Sequence, residues 1–263
     1  MKVVLFCGGL GMRLREYSEN TPKPMVPIGH HPILWNLMKY YAHYGHKEFI
    51  LCLGHNSHVI KNYFLNYDEC LSNDFILESG ETHLVKTDIH DWKITFAETG
   101  LKSNIGMRLK AAEKYLEDLS ENDIFLANYS DGLSDVPIDK MIEFFKQSDK
   151  TACFLCVKPQ QTFHYVMLNK DGTVNSIQDT TNTGLTVNGG FFIFKKRIFN
   201  YMQDGEELVH EPFARMIEDN QLLAYQYDGF WKCMDTFKDK QNFDELYASG
   251  QCPWQVWKRD KTN

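Results

Sequence analysis

The feature that most constrains this chain is its first thirteen residues. Lys2-Val-Val-Leu-Phe-Cys7 is a continuous apolar run, and a strand apolar on both sides belongs inside a sheet covered on both faces. It stops at Gly8-Gly9-Leu-Gly11-Met-Arg13, where glycines let the backbone turn sharply and bring N–H groups close to a phosphate. Neither common glycine fingerprint fits. A dinucleotide turn needs a third glycine where Leu14 stands, which disfavours a nicotinamide-dependent oxidoreductase, and the Walker pattern is nowhere in the chain. What remains is G-G-x-G-x-R, with Lys23 ten residues after the arginine in Thr21-Pro-Lys-Pro-Met25. An arginine and a lysine beside a glycine turn can neutralise a triphosphate, and the prolines restrict the loop that carries the lysine. On spacing alone, a tight βα turn with two surface cations stays open.

Beyond the turn, apolar runs alternate with amphipathic stretches. Residues 31–41 place Ile33, Leu34, Leu37, Met38 and Tyr41 at helical spacing, with Pro32 suited to a first turn. Strands are expected at 48–53, 92–97 and 123–128, and helices at 58–65 and 105–116. This alternation argues for an α/β fold, a doubly wound, mostly parallel, Rossmann-like sheet over residues 1–150. From 151 the pattern turns strand-rich (152–157, 165–168, 173–178, 190–195). A helix at 212–220, a strand at 222–227 and a helix at 238–249 follow. The expectation is one domain, 1–263, with an appended strand-rich lobe laid against the same sheet.

Charge narrows the partners. With 28 Lys and Arg against 35 Asp and Glu, the net charge is −7, so nothing draws the whole chain to nucleic acid or an anionic membrane. Any phosphate must be met by local devices. Seven cysteines are scattered, and Cys153 and Cys156, three apart in an apolar run, point to opposite faces of a strand. They read as core thiols of a reducing compartment, a redox or metal role being the alternative. The N-terminal apolar run is too short for a secretory leader, and no stretch reaches the ~18 apolar residues of a membrane span; a cytoplasmic protein is expected. His30, His31, His43 and His46 read as surface or loop residues.

Several segments, taken in order, carry a resemblance. Gly8-Gly-Leu-Gly-Met-Arg13, Lys23-Pro-Met-Val-Pro-Ile-Gly29 and Pro32-Ile-Leu-Trp35 resemble the signature of the sugar-phosphate nucleotidylyltransferases. Tyr129-Ser-Asp-Gly132, Asn188-Gly-Gly-Phe-Phe192, Glu211-Pro212, Gly229-Phe-Trp231 and Met234-Asp-Thr236 look like the cytidylyltransferases among them, and the likeness reaches Trp257. It implies that CTP and a small phosphorylated acceptor give a CDP-linked product and pyrophosphate, in the service of polysaccharide synthesis. Phosphate attacking phosphate is opposed electrostatically, so cations must neutralise both partners, and no covalent catalyst is needed.

The resemblance assigns residues 1–150 to the nucleotide and 151–263 to the acceptor and the C-terminal half. Phe6, Cys7, Gly8, Gly9, Leu10, Gly11, Met12, Arg13, Lys23, Arg108 and Ser130 would bind the nucleotide. Arg13 would steady the leaving pyrophosphate and Lys23 the α-phosphate, making Arg13, Lys23 and Asp131 the catalytic set. Asp131, at the C-terminal end of an expected strand, lies where open α/β sheets bind ligands. With Asp235 it would hold Mg²⁺, a hard cation that takes one or two carboxylates and completes its shell with water and phosphate oxygens. Without the resemblance, Asp131-Gly132 reads first as a turn and Asp235 first as a helix N-cap. Asp135 and Asp139 read as turn and helix-start residues. A homo-oligomer is expected, Trp254 and Trp257 serving either a subunit contact or a packed tail. The rival is a catalytically silent regulatory protein on the same fold, against which the joint presence of Arg13, Lys23, Asp131 and Asp235 speaks.

The acceptor side, Tyr165, Asp179, Thr180, Asn188 and Gly189, departs from the pattern. Glucose-1-phosphate members of the family carry Glu-Lys-Pro shortly before Asn-Gly-Gly, and that lysine faces the incoming phosphate; here Asp179-Thr180-Thr181 stands there. An expected Arg-Phe-Gly is Phe163-His164-Tyr165, so a tyrosine fills space that a hexopyranose would need. Either Lys158 or His164 compensates, or the acceptor is another phosphate, such as an open-chain, ketose or polyol phosphate.

Overall fold

The first strand, β1 (Lys2–Phe6), sends Val3 and Leu5 into the core on one side of a sheet and Val4 and Phe6 into the core on the other, which is why its apolar run does not alternate. The structure, a computed structural model, describes residues 1–9, 21–159, 164–179 and 184–261. Leu10, Gly11, Met12, Arg13 and Thr180 lie outside the described residues, as does the side chain of Asp179.

The main sheet continues with β2 (Glu48–Leu53), β3 (Lys93–Glu98), β4 (Ile124–Tyr129), β5 (Ala152–Val157), β6 (Val187–Asn188), β7 (Phe192–Lys195) and β8 (Leu222–Tyr227). β1 lies between β2 and β4, parallel to both, and β3 runs parallel beyond β2. Past β4 the direction changes. β7 is antiparallel to β4, β5 is antiparallel to β7 and β6, and β8 runs parallel to β5 at the edge. The strand-rich second half thus extends the same mixed, mostly parallel sheet.

Helices α1 (Ile33–His43), α2 (Ser57–Leu65), α3 (Ile105–Ala112), α4 (Ile138–Lys146), α5 (Glu211–Glu218) and α6 (Phe237–Ala248) cover it. α1, α2, α4 and α6 share the core on the Val3 and Leu5 side, and α3 and α5 the core on the Val4 and Phe6 side. α4 shows the cause, since Ile138, Met141, Ile142 and Phe145 fall on one helical face and are buried. Each such burial contributes roughly 1.5–3 kcal/mol. The expected helix at 105–116 ends as α3 at Ala112 and continues as a 3₁₀ turn over Glu113–Leu116.

The strand expected at 190–195 forms as β7 and starts two residues late, at Phe192. Gly190 and Phe191 take left-handed backbone angles (φ +75° and +47°) between β6 and β7. A Cβ on Gly190 would stand 2.5 Å from Asn128 Oδ1, the atom that accepts the Phe191 N–H at 2.9 Å. Asn128 is itself held by donating to the Tyr41 hydroxyl (3.1 Å), and Phe191 is fully buried against Tyr40 and Tyr41. That packing offsets a backbone cost of roughly 1–3 kcal/mol.

Two ribbons stand off the sheet. Phe75–Glu78 pairs with Glu81–Leu84 and leaves Phe75, Ile76, Leu77 and Leu84 exposed. His164–Leu168 pairs with Val174–Asp179 and exposes Tyr165, Val166, Met167, Val174 and Ile177. His46 corrects the surface expectation. It lies in a loop but is buried, and its pKa is pulled down to about 4 by that burial, with the Met1 ammonium adding to it. His31 is half-buried, stacked on Trp35 at 3.9 Å. Trp254 is a packed tail residue, fully buried with its indole N–H on Asn36 Oδ1 (3.1 Å). Cys7, Cys52, Cys153 and Cys156 are buried free thiols, whereas Cys70, Cys233 and Cys252 are partly exposed. Among the described residues no helix is long and apolar enough to cross a membrane.

Candidate active site

Parallel strands all end on one edge, so the turns after β1 and β4 meet there. The turn after β4 carries Ser130 and Asp131, and its chain then pairs Gly132–Ser134 antiparallel with Trp231–Cys233. The register sets Gly132 opposite Cys233, and the Met234 N–H donates to the Asp131 carbonyl at 2.8 Å. This short ribbon places Asp235 beside Asp131 although they are far apart in sequence. Asp235 is not the cap of α6. Thr236 is, in a reciprocal capping box with Asp239.

Lys23 lies between the two carboxylates. Its Nζ donates to Asp131 Oδ2 and to Asp235 Oδ1, each at 2.6 Å. Burial works against the ammonium charge, but the two carboxylates outweigh it and hold the lysine above its ordinary pKa. Lys23 opens a 3₁₀ turn, Lys23–Met25, flanked by Pro22 and Pro24, so its backbone is fixed while its stem is free to reach. On the other side, the Cys233 thiol donates to Asp235 Oδ2 at 3.3 Å. Burial first, and Asp235 next, push that thiol up to about 12, so it stays protonated.

Under the glycine turn is a second cation. Arg108, on α3, is 1% exposed. Its Nη1 donates to the Leu53 carbonyl (3.0 Å) and Thr99 Oγ1 (2.7 Å), and its Nε has no partner among the described residues. A Cβ on Gly8 would fall 2.0 Å from Arg108 Cζ, so any side chain here would displace the guanidinium beneath it. No carboxylate among the described residues pairs with Arg108, and burial lowers its pKa from the usual arginine value. A buried charge with only neutral acceptors is costly until an anion meets it.

The other expected residues divide. The Phe6 and Cys7 side chains are buried, which leaves only backbone there to face a ligand. The Ser130 hydroxyl is turned inward onto the Phe6 carbonyl (2.7 Å), tying the ends of β1 and β4 together. Asn188 is paired with Cys156 and caps the Gly190 N–H. Tyr165 lies half exposed on its ribbon opposite Gln178. Lys158 pairs with Asp228 at 2.9 Å in an exposed contact. Asp135 holds the Tyr227 hydroxyl, the Phe230 N–H and Arg259, a structural hub beyond an ordinary turn.

One role was not foreseen. The Trp231 indole N–H donates to the Gly189 carbonyl at 2.8 Å, joining the strand that leads to Asp235 to the Asn188-Gly189 edge. Its only sequence signal is the Gly229-Phe-Trp231 motif.

Charge-neutralising groups at the end of a parallel sheet, with no nucleophile or acid–base pair among them, suit group transfer between phosphates. The chain belongs to the nucleotidyl transferase family, whose model matches residues 2–242, and it is a nucleotidyltransferase. It is 35% identical to the glucose-1-phosphate cytidylyltransferase of Salmonella typhimurium, covering 98% of this chain and 100% of that protein. Against the mannose-1-phosphate guanyltransferase of Debaryomyces hansenii the identity is 24%, over 95% of this chain and 65% of the relative. Among solved structures, the UDP-glucose pyrophosphorylase of Acinetobacter baumannii superposes with a TM-score of 0.69 over 98% and 97% of the two chains, at 15% identity, a likeness of fold.

Proposed function

We propose that this protein transfers CMP from CTP to a small phosphorylated, sugar-like acceptor, releasing pyrophosphate and a CDP-linked product for polysaccharide synthesis in the cytoplasm. The observation that carries the reading is the convergence of Asp131 and Asp235 on one cation position beside the glycine turn, with Lys23 and Arg108 at hand. Cytidine as the base rests on the printed activity of the Salmonella relative.

The carboxylate pair fits a divalent metal. Two hard oxygens aimed at one point, with no third acidic, histidine or cysteine ligand among the described residues, suit Mg²⁺ with water and phosphate oxygens for the rest of its shell. Bound there, Mg²⁺ would draw charge from the nucleotide phosphates. Arg108 and the N–H groups of Gly8 and Gly9 would hold the nucleotide and Arg13 the pyrophosphate. Lys23 would meet the α-phosphate. Asn188 and Gly189, with Tyr165, Asp179 and Thr180, would receive the acceptor, the first half of the single domain serving the nucleotide and the second the acceptor. Because Thr180 replaces a lysine, an acceptor other than glucose 1-phosphate is preferred. The exposed apolar ribbons support a homo-oligomer, since an isolated two-stranded ribbon is marginal in water.

Incubation with each nucleoside triphosphate, Mg²⁺ and a panel of sugar, ketose and polyol phosphates, monitoring pyrophosphate, tests this. CTP-dependent release with one acceptor is expected. Preference for another base, or no release with any acceptor, overturns it, and best turnover of glucose 1-phosphate would restore that acceptor.

A further inference from the structure

We propose that Lys23 is the built-in counter-cation of the Asp131–Asp235 pair and competes directly with the divalent metal, so that the metal binds as Lys23 leaves for a nucleotide phosphate. This rests on reading the pair as the metal site. The ribbon Gly132–Ser134 with Trp231–Cys233 fixes the two carboxylates side by side whether or not a metal is present. Half-buried, they would repel each other without a cation between them, and Lys23 supplies one at 2.6 Å from both.

The lysine and the metal exclude each other. A divalent ion held by the carboxylates of Asp131 and Asp235 would stand close to the Lys23 ammonium, where like charges in a half-buried site repel. Exchange needs little movement. The turn at Lys23–Met25 is held by Met25 N–H on the Pro22 carbonyl (2.7 Å) and Val26 N–H on the Lys23 carbonyl (3.1 Å), so only the four-carbon stem swings. A phosphate near the glycine turn gives the ammonium somewhere to go. The nucleotide therefore opens the metal site, and the free protein binds metal weakly. Lys23 becomes a positioning residue for the carboxylates before it becomes a phosphate ligand.

The test uses Mn²⁺ alone on the nucleotide-free full chain, with bound ion read from loss of the free-ion paramagnetic resonance signal. Lys23→Met and Lys23→Gln should bind Mn²⁺ at least ~10-fold more tightly than wild type, the effect of removing one adjacent positive charge. Lys23→Arg, which keeps the charge, should stay close to wild type, and this comparison stands even if Lys23→Met folds poorly. Mn²⁺ should also raise the melting temperature of Lys23→Gln more than that of wild type. Equal Mn²⁺ affinity in wild type and the neutral variants, with binding lost in Asp131→Asn, overturns the competition and leaves the metal site standing. Mn²⁺ binding that ignores Asp131→Asn and Asp235→Asn in both backgrounds overturns the metal site itself.

Discussion

Where β1, β2 and β3 begin, Lys2 pairs with Asp118, Lys47 with Asp91 and Lys93 with Glu48, each pair with at least one partner well exposed. Where β1 and β4 finish, Lys23 is lodged between Asp131 and Asp235, and Arg108 is buried with no acid beside it among the described residues. The same residue types do opposite work at the two ends. At the beginning of the strands these charges have their partners and water screens them, so each pair contributes little. At the far end burial weakens the screening and the charges are matched unevenly, two carboxylates sharing one lysine while Arg108 meets only neutral acceptors among the described residues. An incomplete set of buried charges is what a ligand completes.

The comparison breaks hardest at the carboxylates. Asp131→Asn or Asp235→Asn should each lower turnover at least ~10²-fold, as loss of one electrostatic contact at a charge-developing site does. Pyrophosphate release measures it, and unchanged turnover in either would make this end as structural as the other. Arg108→Met should weaken CTP binding ~10–100-fold, the worth of a hydrogen bond to a charged group. Its melting temperature should hold or rise, because a buried unpaired charge is gone. Titration calorimetry together with thermal melting decides, since a large melting loss with CTP affinity intact would mark Arg108 as scaffold. Trp231→Phe removes one neutral hydrogen bond and should raise the acceptor KM about fivefold, leaving CTP affinity alone.

At the other end the effects are on stability. His46 is kept neutral in the fold, with a pKa near 4 against ~6.5 unfolded. The unfolded chain therefore takes up a proton first as pH falls, and stability declines between about pH 6.5 and 4. His46→Asn should flatten that limb of the melting-temperature profile without touching turnover. Smallest of all, Lys93→Ala should leave both the melting temperature and turnover close to wild type.

Local elements were legible because their causes are local. β1 announced two buried faces in five residues, and α4 its apolar stripe. The carboxylates were legible as residue types at a strand end, but their meeting depends on the Gly132–Cys233 register, which no local pattern encodes. The late start of β7 after Gly190-Phe191 was invisible because Phe191 through Phe194 reads as one apolar strand, while Asn128, which bends it, lies in another. His46 sits in a short polar loop that looks solvated, and burial by distant neighbours reversed that. Arg108 resembled any surface cation of an amphipathic helix; only the family likeness picked it out, and only the packing under Gly8 explains it.

The ribbon that unites Asp131 with Asp235 also sets a clock. Lys23 is separated from them by 108 and 212 positions, and at ~5–20 residues per second of synthesis Asp235 emerges roughly 5–20 s after Asp131. When Asp131 emerges, β1 to β4 have been made with the glycine turn and Arg108, while β8 and the second carboxylate are still to come. Entropy is not the obstacle, since doubling a loop adds only about 0.6 kcal/mol to its closure. Chain order is. The growing chain holds one carboxylate of the pair through much of its second half, and the complete pair is among the last features it acquires.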